Sequence, residues 1–146
     1  MQIRDMIVED IPQLAELYRQ FWGDASDLAK MKTTFLELQK RNSHLFLSAV
    51  EGDELIGTIM GIVCEELYGE CRPFLLIENL IVDKKHRRKG AARKLLAELE
   101  CLVRQRNCWQ MILVTEADRE DACAFYKANG FQLNNAGFKK KLHPAK

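Results

Sequence analysis

The chain has 146 residues, 47% of them hydrophobic and 29% charged, which is the balance of a globular protein large enough to bury a core. Its net charge of +1 provides no global field to recruit nucleic acid or an anionic membrane, so anion binding requires a local cluster of cations. No apolar run approaches the roughly 18 residues that cross a bilayer, and Met1–Asp5 lacks the apolar stretch of a secretory signal. We therefore expect one cytoplasmic domain, residues 1–146, with no membrane partner.

Hydrophobic periodicity and turn residues predict eleven elements along the chain. In chain order they are a strand over 2–8, helices over 11–22 and 27–40, strands over 45–50 and 55–63 that form a hairpin, a strand over 74–82, a helix over 90–106, a strand over 109–115, a helix over 118–129, and a closing pair of strands over 131–133 and 137–142. Asp10 and Asp118 are the expected N-caps, with Gln13 at N3 of the first helix, and Gly23 and Gly130 are the expected C-terminal glycines.

This order has hairpins in its first half and strand–helix alternation in its second. Such a mixture predicts an α/β fold with a mixed, mostly antiparallel central sheet of about six to seven strands and flanking helices. Gly57 and Gly61, inside a predicted strand, indicate a bulge or a close backbone approach.

The five cysteines are odd in number and contain no C-x-x-C pair, and the three histidines are scattered along the chain. This spacing does not predict a metal site. We expect small, buried thiols in a reducing compartment.

The most informative segment is the basic turn, residues 84–89 (KKHRRK), which lies between an apolar strand and the best predicted helix. Backbone N–H groups at a helix start have no intrahelical partner, and the helix dipole adds about half a positive charge there. The small residues Gly90, Ala91 and Ala92 let an anion approach that backbone, and Arg87, Arg88 and Lys89 supply charge-assisted donors. This pattern favours a bound pyrophosphate.

Other interpretations of the basic turn remain. A Walker-type loop and a dinucleotide fingerprint are excluded, since their glycines are missing. A solvated basic turn and a patch that binds nucleic acid stay open, although the latter usually lies in exposed or disordered segments.

Two motifs resemble one family. Residues 87–92 (RRKGAA) match the Q/R-x-x-G-x-G/A acetyl-CoA motif of the GNAT superfamily of N-acetyltransferases, with Ala92 where glycine is commoner. Residues 124–131 (AFYKANGF) resemble that family's F-Y-x-x-x-G-F segment, and the whole chain is similar to the family in its order of elements.

The resemblance implies roles for particular residues. Acetyl-CoA would be the co-substrate, its pyrophosphate on residues 87–92 and its pantetheine arm on the backbone of Leu80, Ile81 and Val82, where the strand splays from the next one. Arg119 takes the place of an asparagine that contacts the cofactor in many members.

Two side chains are the candidates for proton transfer. Glu78 interrupts an apolar strand, and by resemblance to polyamine-type members it would remove the amine proton directly or through water. The alternative is that Glu78 points to solvent or pairs with an arginine. Tyr126 would protonate the departing thiolate, because a phenol of pKa about 10 can protonate a thiolate whose thiol has a pKa near 8.5. Ordinary core packing is the other interpretation of Tyr126.

The predicted acceptor is a small molecule with an amine. Acids and aromatics in the variable parts suit a cationic amine, and they are Trp22, Asp24, Asp27, Glu65, Glu66, Tyr68 and Glu70. The C-terminal segment instead resembles that of small members that act on aminoalkylphosphonates or amino-sugar phosphates. In that case a substrate phosphate would contact Lys139, Lys140 and Lys141. A protein lysine or N-terminal amine, and a non-catalytic acyl-CoA sensor, are the alternatives, and a homodimer is possible.

Overall fold

Five strands and four α-helices make up the computed structural model, which describes residues 1–143. The elements are β1 (Gln2–Asp5), α1 (Ile11–Trp22), α2 (Leu28–Gln39), β2 (His44–Glu51), β3 (Glu54–Cys64), β4 (Phe74–Val82), α3 (Ala91–Gln105), β5 (Met111–Leu113) and α4 (Glu120–Ala128). The chain divides into two compact units, Met1–Leu113, which holds the whole sheet, and the part from Val114 onward.

The sheet is mixed and mostly antiparallel, as the sequence predicts. Its strand order is β1-β2-β3-β4-β5, with three antiparallel pairings followed by one parallel pairing between β4 and β5. The number of strands in the described part of the chain is five, lower than the six to seven expected.

The missing strands belong to the second unit. Residues 131–133 and 137–142 have no regular structure, so the predicted closing pair of strands is wrong for this structure. Leu133, Phe138 and Leu142 are 70%, 97% and 80% exposed. A strand is stabilised by packing one face against neighbours, and these apolar side chains have no such face to bury.

Helices α1 and α2 contribute to one apolar cluster in the first unit. It contains Met6, Ile11, Leu14, Phe35, Val50 and Leu55. Phe35 of α2 and Phe46 of β2 meet edge to face with their ring centroids 5.2 Å apart. Ile11, Leu14 and Leu17, spaced three apart, form the buried stripe of α1, which packs on β3 and β4, whereas α2 contributes Phe35 beside β2.

Helix α3 packs on the sheet at the two glycines of β3. A Cβ added at Gly61 would lie 3.0 Å from a methyl carbon of Leu99, and one at Gly57 would lie 3.1 Å from the backbone oxygen of Ile81. The predicted close approach is confirmed, because any side chain at either position would press on α3 or β4. Gly57 also follows a register shift in the β2–β3 pairing.

The start of α1 differs from the prediction. Asp10 precedes the helix but its side chain makes no capping hydrogen bond there. Its two oxygens instead accept from both terminal nitrogens of Arg4, at 2.7 and 2.8 Å, and also from the backbone of Ile7 and the hydroxyl of Ser48. Gln13 binds the backbone of Asp53 and Leu55 rather than the helix N-terminus.

Other helix ends agree better with the sequence. Asp27 caps α2 by accepting from the backbone of Lys30 at 3.1 Å, and Gly23 ends α1 in a left-handed conformation with φ of 88°. The predicted cap at Asp118 is wrong, because α4 begins after Arg119 and no side chain caps it.

The expected burial of the thiols is only partly met. Cys71 and Cys101 are exposed, whereas Cys64, Cys108 and Cys123 are half-buried. Burial raises the pKa of the Cys108 thiol, which keeps it protonated at neutral pH. Among residues 1–143, none of the helices has both the length and the apolar composition to span a membrane.

Candidate active site

The basic turn leaves β4 and enters α3 through an unusual backbone path. A short 3-10 segment over Lys84–His86 follows Asp83, and Arg87 is extended. Arg88 and Gly90 both lie in the left-handed region, with φ of 61° and 89°. A non-glycine residue in this region is strained and persists only where its surroundings hold it, which is typical of functional sites.

The helix start itself is open. No side chain caps the N-terminus of α3, and a Cβ placed on Gly90 would meet nothing within 4 Å. Ala91 is buried, Ala92 is half-buried, and the first backbone hydrogen bond of the helix runs from Lys94 to the oxygen of Gly90 at 3.0 Å. The N–H groups ahead of Lys94 have no acceptor within the helix and suit an anion.

The cationic side chains of the turn are exposed, and they differ in what they contact. Arg88 and Lys89 lie at the surface beside Gly90. Arg87 donates from Nε to the backbone oxygen of Val82 at 3.2 Å, so it ties the turn to the end of β4. Arg88 and Lys89 are therefore exposed beside the predicted pyrophosphate site, whereas Arg87 is hydrogen-bonded to the backbone of Val82.

Sequence reasoning missed the carboxylate that precedes the turn. Asp83 is 9% exposed and accepts from Gln20 Nε2 at 2.8 Å, from the backbone N–H of Lys85 at 2.8 Å and from His86 Nδ1 at 3.1 Å. Burial by itself raises the pKa of Asp83, but these hydrogen bonds together hold it below the usual value. Its position directly after an apolar strand was the available signal.

His86 is partly enclosed by acids. Its Nδ1 contacts Asp83, while its Nε2 lies 3.7 Å from Glu51 Oε2 and 4.0 Å from Glu54 Oε2 on the β2–β3 turn. The side chain of His86 is only 13% exposed. It links the basic turn to the hairpin.

Strand β4 carries a bulge beside Glu78. Thr58 of β3 pairs with Ile81 and Met60 pairs with Glu78, so Asn79 and Leu80 lie opposite the single residue between them. Asn79 is left-handed, with φ of 56°, a conformation that asparagine tolerates better than most residues. Its presence in an apolar strand was the signal for this bulge.

Pairing between β4 and β5 stops before the bulge. It covers Leu75–Ile77 on β4 and Met111–Leu113 on β5, so residues 78–82 of β4 pair with β3 alone. In the described part of the chain, the backbone groups of Leu80, Ile81 and Val82 have no strand partner on that side, an arrangement compatible with the separation of strands that the family resemblance implies.

Glu78 is exposed, as the alternative of a solvent-facing carboxylate predicts. The adjacent Asn79 donates from Nδ2 to the Tyr18 hydroxyl of α1 at 3.5 Å. Burial raises the pKa of Tyr18, with Asn79 acting in the opposite direction. The ring of Tyr18 lies edge to face with Trp22 at 5.2 Å, and Trp22 is 51% exposed.

In the second unit, Tyr126 is held at the end of α4. Gly130, with φ of 89°, donates to the oxygen of Lys127 at 3.1 Å, and Phe131 donates to the oxygen of Tyr126 at 3.0 Å. These two bonds form a Schellman motif. The Tyr126 ring lies edge to face with Phe131 at 5.6 Å and with Phe125 at 5.3 Å, which explains physically why the motif needs a glycine followed by an aromatic residue.

The remaining candidates have defined positions. Arg119 is half-buried at the start of α4. Lys139 donates to Glu116 Oε1 at 2.7 Å, and this hydrogen bond holds the pKa of Glu116 below its usual value. Among residues 1–143, no group of three His, Cys, Asp or Glu side chains is placed to hold a metal ion.

Comparison with known proteins agrees with this geometry. The model of the Acetyltransferase (GNAT) family matches residues 11–131. The uncharacterized N-acetyltransferase YhfO of Bacillus subtilis is 26% identical over 147 residues, covering 94% of this chain and 93% of YhfO.

Solved structures share the fold. A putative acetyltransferase from Agrobacterium tumefaciens superposes with a TM-score of 0.90 at 22% identity, covering 97% of this chain and 99% of that one. AAC(6')-Iy, in complex with the bisubstrate analogue CoA-S-monomethyl-acetylneamine, superposes with a TM-score of 0.82 at 19% identity, covering 97% of each chain.

The chain belongs to the acetyltransferase (GNAT) family, since the family model covers most of its length. It is an acetyl-CoA-dependent N-acetyltransferase, and acetyl-CoA is its co-substrate. The fold class expected from the sequence is confirmed, apart from the lower number of strands.

Proposed function

We propose that the protein transfers the acetyl group of acetyl-CoA to the primary amine of a small molecule by direct attack. The observation that carries the proposal is the path of residues 87–92, with left-handed Arg88 and Gly90 leading into an uncapped helix start. The pyrophosphate would bind there, on Arg87, Arg88, Lys89, Gly90, Ala91 and Ala92. The pantetheine arm would follow the unpaired edge of β4 at Leu80, Ile81 and Val82, with Arg119 as a further contact.

Acetyl transfer to an amine makes three demands on the protein. An alkylammonium with a pKa of about 10.4 must lose its proton, the tetrahedral oxyanion needs fixed donors, and the thiolate must be stabilised as it leaves. Glu78 is the proposed base, because its exposed carboxylate is accessible to an amine or to a bridging water. Backbone N–H groups of residues 80–82 are the proposed oxyanion donors.

Tyr126 is the proposed acid. Its phenol can donate a hydrogen bond to the CoA thiolate as it leaves and then pass its proton to it; the transfer from a phenol of pKa about 10 to a thiolate whose thiol has a pKa near 8.5 is uphill by about 2 kcal/mol, and solvent then returns a proton to the tyrosine. The Schellman motif and the two neighbouring rings restrict the Tyr126 side chain, which favours a fixed role.

The family match runs from residue 11 to residue 131 and therefore includes both Glu78 and Tyr126. This match supports the proposal that residues 1–146 act as one acetyltransferase domain.

The proposed acceptor is a small cationic amine. Support comes from the exposed aromatic ring of Trp22 on α1 and from the exposed carboxylate of Asp24. The Trp22 ring packs edge to face with Tyr18, whose hydroxyl accepts a hydrogen bond from Asn79, the residue next to Glu78. An aromatic face and a carboxylate both attract an ammonium group. The bisubstrate analogue bound to AAC(6')-Iy joins CoA to an acetylneamine, which is consistent with this class.

The experiment that tests this function follows free thiol while the purified protein is mixed with acetyl-CoA and a panel of acceptors. The panel contains polyamines, aminoglycosides, aminoalkylphosphonates, amino-sugar phosphates and a lysine-containing peptide. We expect thiol release with a cationic small amine. Release with the peptide alone would favour a protein acetyltransferase, and tight acetyl-CoA binding without release for any amine would favour a sensor.

Two coarser proposals accompany this one. Residues 1–143 hold no helix fit to span a membrane, and we propose the cytoplasm as the place of action. A homodimer remains a proposal that sedimentation of the purified protein would test. Salt-sensitive binding of DNA or RNA that acetyl-CoA does not displace would instead support a nucleic-acid partner.

A further inference from the structure

Both oxygens of the Asp83 carboxylate accept hydrogen bonds from the protein. Oδ1 accepts from the Lys85 backbone and from His86, and Oδ2 accepts from Gln20. The residue is 9% exposed. A buried carboxylate with both oxygens occupied is suited to holding neighbouring groups rather than to reacting with a substrate.

The partners of Asp83 come from separate parts of the first unit. Gln20 lies in the last turns of α1, whereas Lys85 and His86 belong to the basic turn. His86 also faces Glu51 and Glu54 on the β2–β3 turn. Hydrogen bonds of Asp83 therefore hold the beginning of the basic turn to α1 and to the backbone of the turn, and His86 lies beside the hairpin.

The end of the same turn contains the strained residue. Arg88 is left-handed without being a glycine, and such a conformation persists only where the surrounding structure maintains it. Arg88 lies five positions after Asp83 in the chain, and the adjacent Arg87 donates to the backbone oxygen of Val82. Fixing the first residues of the turn restricts the conformations open to the last ones.

We propose that Asp83 is a positioning residue for acetyl-CoA, which acts through Gln20, Lys85 and His86 to keep the basic turn in the shape that receives the pyrophosphate. The proposal rests on the proposed function, in which the phosphates bind this turn. It adds a role for a carboxylate that does not touch the cofactor. The expected consequence is an effect on donors that carry phosphates and none on donors that lack them.

The test compares two acetyl donors in the full-length enzyme, acetyl-CoA and S-acetylpantetheine, which has the thioester arm but no phosphate. The donor preference is defined as kcat/KM for acetyl-CoA divided by kcat/KM for S-acetylpantetheine. Asp83→Asn replaces one accepting oxygen with an NH₂ group that faces a donor. We expect it to raise the KM for acetyl-CoA about tenfold, to leave kcat nearly unchanged, and to leave S-acetylpantetheine turnover unaffected.

Asp10→Asn is the matched control. Asp10 is also a buried carboxylate with several donors, but those donors are Arg4, Ile7 and Ser48, and none belongs to the basic turn. We expect this variant to lower thermal stability while preserving the donor preference. If Asp83 had only a general structural role, both variants would lower stability and neither would change the preference.

A double variant that exchanges the carboxylate of Asp83 and the amide of Gln20 tests whether the donor preference can be recovered. In Asp83→Asn/Gln20→Glu the asparagine oxygen still faces Lys85 and His86, and its NH₂ group donates to the new glutamate. We expect the double variant to recover part of the donor preference, because the second oxygen of the new glutamate takes the buried place of Gln20 Oε1, which has no hydrogen-bond partner in the described part of the chain. Should Asp83→Asn fail to fold, Gln20→Ala removes a single partner and is measured with the same two donors.

The outcomes separate the two proposals. A wild-type enzyme that uses both donors equally well would overturn the phosphate site itself. A wild-type enzyme that prefers acetyl-CoA, combined with an Asp83→Asn variant that keeps the full preference, would overturn the role of Asp83 and leave the proposed function intact.

Discussion

Acidic residues of this chain divide by environment into those that organise structure and those available for chemistry. Asp10 and Asp83 are buried, and both oxygens of each carboxylate accept hydrogen bonds from protein donors. Glu78 is exposed beside a backbone bulge. A carboxylate that must accept a proton from a substrate has to remain accessible, so Glu78 is the better candidate base.

Replacing Glu78 with glutamine keeps the shape of the side chain and removes its basicity. We expect kcat/KM at neutral pH to fall about a hundredfold, and the deficit to shrink as pH approaches about 10.4, where the amine loses its proton without help. Steady-state rates measured between neutral and alkaline pH test this. The matched control is Glu98→Gln, an exposed glutamate on α3. Equal activity of Glu78→Gln and wild type at every pH would exclude the base role.

Tyr126→Phe removes one hydroxyl and keeps the ring contacts with Phe125 and Phe131. We expect turnover to fall at least about tenfold with little change in acetyl-CoA affinity, because the hydroxyl acts only as the thiolate leaves. Single-turnover rates and calorimetric binding of acetyl-CoA separate the two effects. Full turnover in the variant would remove Tyr126 from the mechanism.

At the scale of elements, the connection between β4 and α3 supplies most of the backbone groups of the candidate site. The strand ends in a bulge and a free edge, and the helix begins at a left-handed glycine without a cap. Both features weaken regular structure locally, yet together they expose backbone groups that a phosphate or an amide can use. Left-handed non-glycine residues occur on both sides of the end of β4, at Asn79 within the strand and at Arg88 within the basic turn.

Gly90→Ala tests the helix start. An alanine at φ of 89° is strained and costs about 1 kcal/mol of unfolding free energy, although nothing lies within 4 Å of its Cβ. We expect this variant to bind acetyl-CoA at least about tenfold more weakly, since the backbone must shift to relieve the strain. Isothermal titration measures the affinity.

Gly23→Ala is the control for that variant. Gly23 has φ of 88° and an equally open Cβ position, but it ends α1 instead of beginning α3. A similar loss of stability with unchanged acetyl-CoA affinity is expected. Equal weakening of acetyl-CoA binding in both variants would mean that strain alone, and not its location, affects the site.

For the whole molecule, buried carboxylates predict how stability depends on pH. Burial raises the pKa of Asp10, but hydrogen bonds from Arg4, Ile7 and Ser48 bring it below the usual value of 3.8, and Asp83 behaves in the same way. A group whose pKa is lowered by folding stabilises the native state above its unfolded pKa. That contribution is lost as pH falls through the folded pKa.

We therefore expect the unfolding free energy to be nearly constant above pH about 5. It should decrease once the pH drops below 3.8, the usual pKa of aspartate. Urea unfolding between pH 5.5 and 2.5 measures it. Asp10→Asn should be less stable at neutral pH and should lose less on acidification. An equally steep loss in this variant would show that other groups cause the acid sensitivity.

The amino-acid sequence alone determined the order of the elements as far as α4, the mixed sheet and the left-handed glycines at Gly23 and Gly130, and it predicted the basic turn as an anion site. These features depend on periodicity, local caps and neighbouring residues, which are all short-range. It also allowed Glu78 and Tyr126 to be singled out, through motifs of fixed spacing.

Only the tertiary structure decided which partners Asp10 and Asp83 take, because their donors lie far away in the chain: Ser48 is 38 residues from Asp10, and Gln20 is 63 residues from Asp83. Packing also overrode the local prediction of strands near the C-terminus, where Phe138 and Leu142 have no surface to bury them. Local propensity sets what a segment can form, and burial against distant residues decides whether it does.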